Sequence, residues 1–186
     1  IAVRSGSQRC INKNIRPFAG SNLLEVKINL LKRVKGIDEI IVNTDCDRML
    51  SIGESYDCKT HEREAFYASS DASNSDFHYN IAETTDTDFI FLTPVCAPCV
   101  SIETHEKAID FFLNSSYDSV TSYDSIQNHL WQNDKPLNYD LDNVGGSQDM
   151  EEIKRLNYGI AIIEKESMLK NKRLIGNNPY LYKLDE

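Results

Sequence analysis

The sequence predicts an α/β fold: a mainly parallel sheet with helices on both faces. Three observations predict it. Short apolar runs recur at 39–43, 88–92 and 159–163, with the length and composition of buried strands. Segments of helical period lie between them, clearest at 102–113. The pace of the alternation leaves room for crossover connections, which parallel neighbours require.

In chain order, Ile1, Ala2 and Val3 read as the end of a strand that stops at a Gly/Ser turn. Residues 22–34 carry Leu23, Val26, Leu30 and Leu31 at near-helical spacing, and Gly36 stops that helix. The strand at 39–43 ends at Thr44-Asp45, and 47–54 forms the next helix. Residues 75–83 are helical, with Phe77 and Ile81 on one face, and 88–92 is the next strand. After the helix at 102–113 the alternation changes beyond Ser119. Residues 130–137 read as two short extended pieces around a polar turn, close to a hairpin, with Trp131 and Leu137 outside any βα unit. The pattern resumes with a buried strand at 159–163, a short helix at 164–170 and a last strand at 179–182. The reading is one domain over 1–186, with 125–150 an excursion from it. Taken from the pattern alone, that excursion reads as a flap over the protein's own site.

With 186 residues and 40% hydrophobic content, the chain can bury one good core. A net charge of −9 argues against a nucleic-acid surface, which needs a basic stripe to displace counterions. No run approaches the roughly 18 apolar residues that cross a membrane, so the chain reads as soluble and cytoplasmic. The opening at Ile1, inside a strand, leads to the expectation that further residues precede it. Five cysteines, an odd number, do not suggest a disulfide framework, and a cytoplasmic chain keeps them reduced. Cys96-Ala97-Pro98-Cys99 reads as small residues packed at a strand-to-helix turn or as a redox pair. Half of a zinc site is the weaker reading, because no second C-x-x-C or close His pair completes it.

The functional signal is the stretch Arg4-Ser5-Gly6-Ser7-Gln8-Arg9-Cys10-Ile11-Asn12-Lys13-Asn14. Four cations, Arg4, Arg9, Lys13 and Arg16, precede the first acid, Glu25. Small residues let backbone N–H groups approach phosphate oxygens, and Arg and Lys supply charge where it builds during phosphoryl transfer. No Gly-Lys-Ser/Thr makes this a Walker loop, and no G-x-G-x-x-G makes it a dinucleotide fingerprint. The alternative is a solvated basic loop. Its isolation on an acidic chain favours a small polyanion.

At this stretch the sequence resembles the CMP-sialic acid synthetases, the acylneuraminate cytidylyltransferases and their relatives acting on other nonulosonic acids. The family signature runs A-R-x-G-S-K-R-x-x-x-K-N, and here it reads VRSGSQRCINKN. Gln8 stands where the family usually has lysine. The resemblance implies a Rossmann-like nucleotidyltransferase sheet with a small dimerisation hairpin, hence a homodimer. It also implies transfer of CMP from CTP to the anomeric hydroxyl of a 2-keto-3-deoxy sugar acid, with release of pyrophosphate. Arg4 and Lys13 would neutralise the triphosphate as catalytic cations. Ser5, Gly6, Ser7 and Arg9 would hold the nucleotide, and Asn14 would contact the ribose.

Three later places carry the resemblance further. Arg63, followed by Tyr67 to Ser75, matches a family arginine and L-A-x-D-x-A-S, which implies that Arg63, Ser73, Asn74 and Ser75 surround the cytosine. Pro94 to Pro98 stands where the family reads Q-P-T-S-P, without the glutamine. Gln148, Asp149, Asn157 and Tyr158 are implied as sugar-acid contacts, although Gly146 replaces a common arginine. Mg²⁺ is the implied cofactor, its ligands unknown within the chain. The family's closely spaced aspartates follow the match to 179–182 and would lie beyond Glu186. The alternatives are a catalytically silent nucleotide-binding homodimer, favoured by Gln8 and Gly146, and a sugar-1-phosphate nucleotidyltransferase.

Overall fold

The computed structural model describes residues 1–6 and 10–184. The chain begins with Ile1–Val3 and, after the basic stretch, makes a miniature hairpin from β1 (Pro17–Phe18) and β2 (Ser21–Asn22). Its two-residue loop, Ala19-Gly20, has φ of 49° and 77°, the doubly left-handed turn that matches strand twist. Helix α1 (Leu23–Leu31) follows. Asn22 caps it by accepting from the Glu25 N–H at 3.0 Å, and Leu24, Ile28 and Leu31 form its buried stripe. The chain leaves the helix earlier than the apolar pattern suggests, yet Val34 remains buried. Gly36 is then needed twice over: its φ is 86°, and a Cβ there would meet Ile109 at 2.9 Å.

Strand β3 (Ile41–Thr44) runs parallel to Ile1–Val3, with Val3 N–H donating to Asn43 O at 3.0 Å and Asn43 N–H to Ile1 O at 2.9 Å. Helix α2 (Asp47–Ser55) crosses to β4 (Lys59–Glu62), also parallel to β3. Two helices follow, α3 (Ala65–Ala68) and α4 (Asn74–Thr84).

The remaining strands form a four-stranded sheet. They are β5 (Phe89–Leu92), β6 (Ser119–Ile126), β9 (Ile153–Glu164) and β10 (Pro179–Lys183), in the order β10-β6-β9-β5. Helix α5 (Ile102–Leu113) leads from β5 to β6. The excursion between β6 and β9 holds a hairpin of β7 (Trp131–Gln132) and β8 (Lys135–Pro136), turned by Asn133 and Asp134 at φ 49° and 60°. Because a loop rather than a crossover helix joins β6 to β9, β9 returns antiparallel to both β6 and β5, while β10 pairs with β6 in parallel. The sheet is therefore mixed, with β9 reversed against the other three strands and β10–β6 its one parallel pair.

Alternation along β9 shows why helices cover both faces. Ile160 and Ile162 pack with Leu31, Val34, Ala108, Ile109 and Phe112 of the α1 and α5 side. Ala161 and Ile163 face Ile81 and Ala82 of α4 together with Met168 of α6 (Lys165–Asn171). Successive side chains of a strand point to opposite faces, so one apolar run supplies two cores. Among the described residues no helix is long and apolar enough to cross a membrane.

Candidate nucleotide-binding site

Three chain directions converge at one end of the sheet. Ile1–Val3 delivers Arg4, β4 delivers Arg63, and β5 delivers Pro94, Val95 and Cys96, each just past the carboxyl end of its strand. Around them opens a cavity of about 900 Å³, lined by Arg4, Lys13, Asn14, Arg63, Ser73 and Asn74 among others. Such crevices at strand ends are where open α/β sheets bind ligands, and the volume suits a nucleotide.

The basic stretch is held open by its own side chains. Arg4 donates through Nη1 to Ala68 O at 2.9 Å and Ser69 O at 3.0 Å, bridging to the loop after α3. Asn14 is buried in the 3₁₀ turn Lys13–Ile15 and donates to Arg4 O at 3.1 Å. Its amide thus fixes the backbone of Arg4. Ser5 turns the other way: its N–H and hydroxyl donate to Asp45 at 2.9 and 2.7 Å. Burial pushes the Asp45 carboxyl up, but the Ser5 hydrogen bonds outweigh it and leave the group below its ordinary value.

Arg63 is the most deeply set cation of the site, 4% exposed. Its Nε donates to Asn43 Oδ1 at 2.5 Å, and Nη2 donates to Val3 O at 3.1 Å and Asn43 O at 2.8 Å. The guanidinium also lies 4.9 Å from the centre of the Phe77 ring. Burial lowers its pKa to about 10, partly opposed by Asp45 and reinforced by Arg4, so it stays charged at neutral pH. These bonds tie the ends of two strands together on the cavity floor. Ser73 likewise has a local task, capping α4 in a reciprocal pair with Asp76. Asn74, the first residue of α4, joins it on the wall.

The structure brings together Arg4, Lys13, Asn14, Arg63, Ser73 and Asn74. Ser5, Gly6 and Ser75 are adjacent in sequence without forming the lining. Ser7, Gln8 and Arg9 lie outside the described residues. Gln148, Asp149, Asn157 and Tyr158 are not on this cavity. Gln148 and Asp149 sit in the 3₁₀ turn Ser147–Asp149, fully at the surface. Asn157 is engaged on the β6–β9 ladder: Ser122 donates to its Oδ1, Gly159 N–H does so at 3.0 Å, and its Nδ2 donates to Asp124 Oδ1. Tyr158 is left-handed, with φ 53°. Sequence reasoning did not assign Tyr67, Phe77 and Cys96 to the lining. Their signal was positional, since each falls within a few residues of a strand end or of the serine cluster.

These features define an α/β protein with a basic cavity at its strand ends. Residues 1–171 match the cytidylyltransferase family model, and the chain belongs to that family. No curated protein matches the sequence. Solved structures agree on the fold. The CMP:2-keto-3-deoxy-manno-octonic acid synthetase complexed with CTP superimposes with a TM-score of 0.69 at 13% identity, over 98% of this chain and 87% of that one. The 4-diphosphocytidyl-2C-methyl-D-erythritol synthase of Anaerococcus prevotii gives 0.70 at 15% identity, over 98% and 85%. A cytidylyltransferase of Leptospira borgpetersenii gives 0.54 at 20% identity, over 65% and 51%.

Proposed function

We propose that this cytidylyltransferase moves CMP from CTP to the anomeric hydroxyl of a 2-keto-3-deoxy sugar acid of the nonulosonate type, expelling pyrophosphate. The observation that carries the reading is the convergence of Arg4 and Lys13 with the Arg63-to-Asn74 segment around one cavity. One wall offers cations to a triphosphate, and the other offers small polar groups suited to a pyrimidine. The opening signature favours a sugar acid as acceptor, while the likenesses to the octonic acid synthetase and to the erythritol synthase are of equal strength and do not separate the two acceptors.

In-line attack on the α-phosphorus needs little covalent help, so the protein positions the reactants and neutralises charge. Arg4, fixed by Ala68 and Ser69, keeps its orientation as charge develops, and Lys13 supplies a second cation. Mg²⁺ would accompany the triphosphate. Among the described residues no group of three or more His, Cys, Asp or Glu could hold a metal ion, and the mechanism here rests on the chain's own cations. The second part of the proposal is a homodimer through 125–150, supported by the exposed Trp131, Leu137, Leu141 and Val144 of that excursion.

The test is pyrophosphate release from CTP with a panel of nonulosonic acids and with 2C-methyl-D-erythritol phosphate. Release with one of the acids supports the reading. Release with the alcohol alone overturns the acceptor, and CTP binding without release under any condition favours the silent nucleotide binder.

A further inference from the structure

Behind the cavity wall lies a charge that the proposed reaction does not use. Lys27 projects from α1 and is 0% exposed. Its ammonium donates to Ala97 O at 2.8 Å and Thr93 Oγ1 at 3.3 Å, and no ion pair among the described residues includes it. Ala97 stands between Cys96 and Cys99, both free and both exposed. A buried cation therefore backs a C-x-x-C turn. Burial lowers Lys27 to about 8, and the charges that oppose this are those of the two cysteines. His105, also fully buried, lies nearby, with Nε2 unpartnered. A thiolate at either cysteine would thus face an uncompensated ammonium, the electropositive setting in which cysteines react with disulfides.

We infer that Cys96 and Cys99 form a thiol–disulfide modification site, closed by a low-molecular-weight disulfide, and that its closure weakens nucleotide binding. In the first step one cysteine thiolate attacks a sulfur of the small disulfide, breaking its S–S bond and releasing one small thiolate. The second cysteine, after giving its proton to solvent, attacks the sulfur of the mixed disulfide and releases the other small thiolate. The protein loses two electrons and two protons, and the small disulfide takes up two of each to become two thiols. Cys96 lines the cavity beside Pro94 and Val95, so drawing it toward Cys99 rebuilds that wall. The Ala97 carbonyl that anchors Lys27 lies within the ring that closes. The link to affinity rests on the cavity being the CTP site, whereas the thiol chemistry does not.

The experiment treats reduced protein with glutathione disulfide, maps the products by peptide mass, and titrates CTP before oxidation, after it, and after dithiothreitol. The expected result is loss of two hydrogens, a mapped Cys96–Cys99 bond, and CTP affinity reduced at least about tenfold and restored on reduction. Cys99→Ser should instead retain a glutathione adduct on Cys96, and Lys27→Met should slow closure about tenfold. Pairing that maps to other cysteines, stable adducts on both residues in the wild type, or closure in Lys27→Met at the wild-type rate would overturn the site. A complete Cys96–Cys99 bond with unchanged CTP affinity would overturn the coupling. Reduced protein that fails to bind CTP at all would count against the nucleotide reading, with the mass map still deciding the thiol chemistry.

Discussion

Replacing Arg63 with methionine should loosen the frame of the site before it alters any ligand contact. Methionine keeps an apolar stem but removes the donors to Asn43 Oδ1, Asn43 O and Val3 O; Asn43 O keeps its bond from Val3 N–H, whereas Asn43 Oδ1 and Val3 O lose their Arg63 donor. Hydrogen bonds to charged groups contribute about 1.5–3 kcal/mol each, and the stacking on Phe77 adds about 1. Together they sum to roughly 5–10 kcal/mol, and the lower part of that range applies because one guanidinium makes them all and the contributions are not additive. In the opposite direction, a pKa drawn down by burial to about 10 represents about 3 kcal/mol against the charged form, a cost that vanishes with the charge. The expected net loss is about 3–4 kcal/mol, within the range for breaking a buried charged network. Urea denaturation of the reduced protein measures it. Arg63→Lys, which keeps the charge but not the fork, should recover only part. A stability loss under about 1 kcal/mol together with abolished CTP binding would refute the reasoning. It would mean that the guanidinium serves the ligand rather than the strands.

Three further outcomes are expected. Lys13→Ala should weaken CTP binding by at least about 1.5 kcal/mol, the scale of a charge-assisted hydrogen bond; calorimetry showing unchanged affinity in a folded variant would remove Lys13 from the site. Trp131→Asp should convert a dimer to a monomer in sedimentation, and a wild type that is already monomeric would end the dimer proposal. Lys27 is protonated in both states below pH 8, but between about 8 and its ordinary 10.5 only the unfolded chain holds the extra proton. Wild-type stability should therefore rise through that window relative to Lys27→Met, by up to about 3 kcal/mol. A flat difference from pH 7.5 to 10 would show that the ammonium is not desolvated as described.

Much of the fold was legible because its strongest strands are apolar. The 159–163 run reads directly as a strand, and its two faces reach two separate helix layers. Strand β6 escaped because Ser119, Thr121 and Ser122 are polar yet 0% exposed, so burial there leaves no hydrophobic period. The 59–62 strand, Lys-Thr-His-Glu, escaped for a different reason: its residues are polar and exposed or only half-buried, so no apolar residue marks it. The reversal of β9 depends on the absence of a crossover helix between β6 and β9, which single-strand patterns do not report. At the candidate site, Arg4, Lys13, Ser73 and Asn74 were singled out from composition and signature, and they line one cavity. The bonds that occupy Arg63 and Asn14 were not, because whether an Arg or Asn faces a ligand or a carbonyl depends on which strand end lies opposite it. The bonds of Asn157 with Ser122 and Asp124 met the same limit, since those partners come from a strand that the polar pattern concealed.

The most direct test of the central claim is hydrogen exchange with and without CTP on the reduced protein. The account predicts slowed exchange in two separated stretches at once, 1–16 and 63–77, with 147–158 unchanged by nucleotide alone. Protection confined to other segments, or none at saturating CTP, would contradict the assignment of this cavity as the nucleotide site.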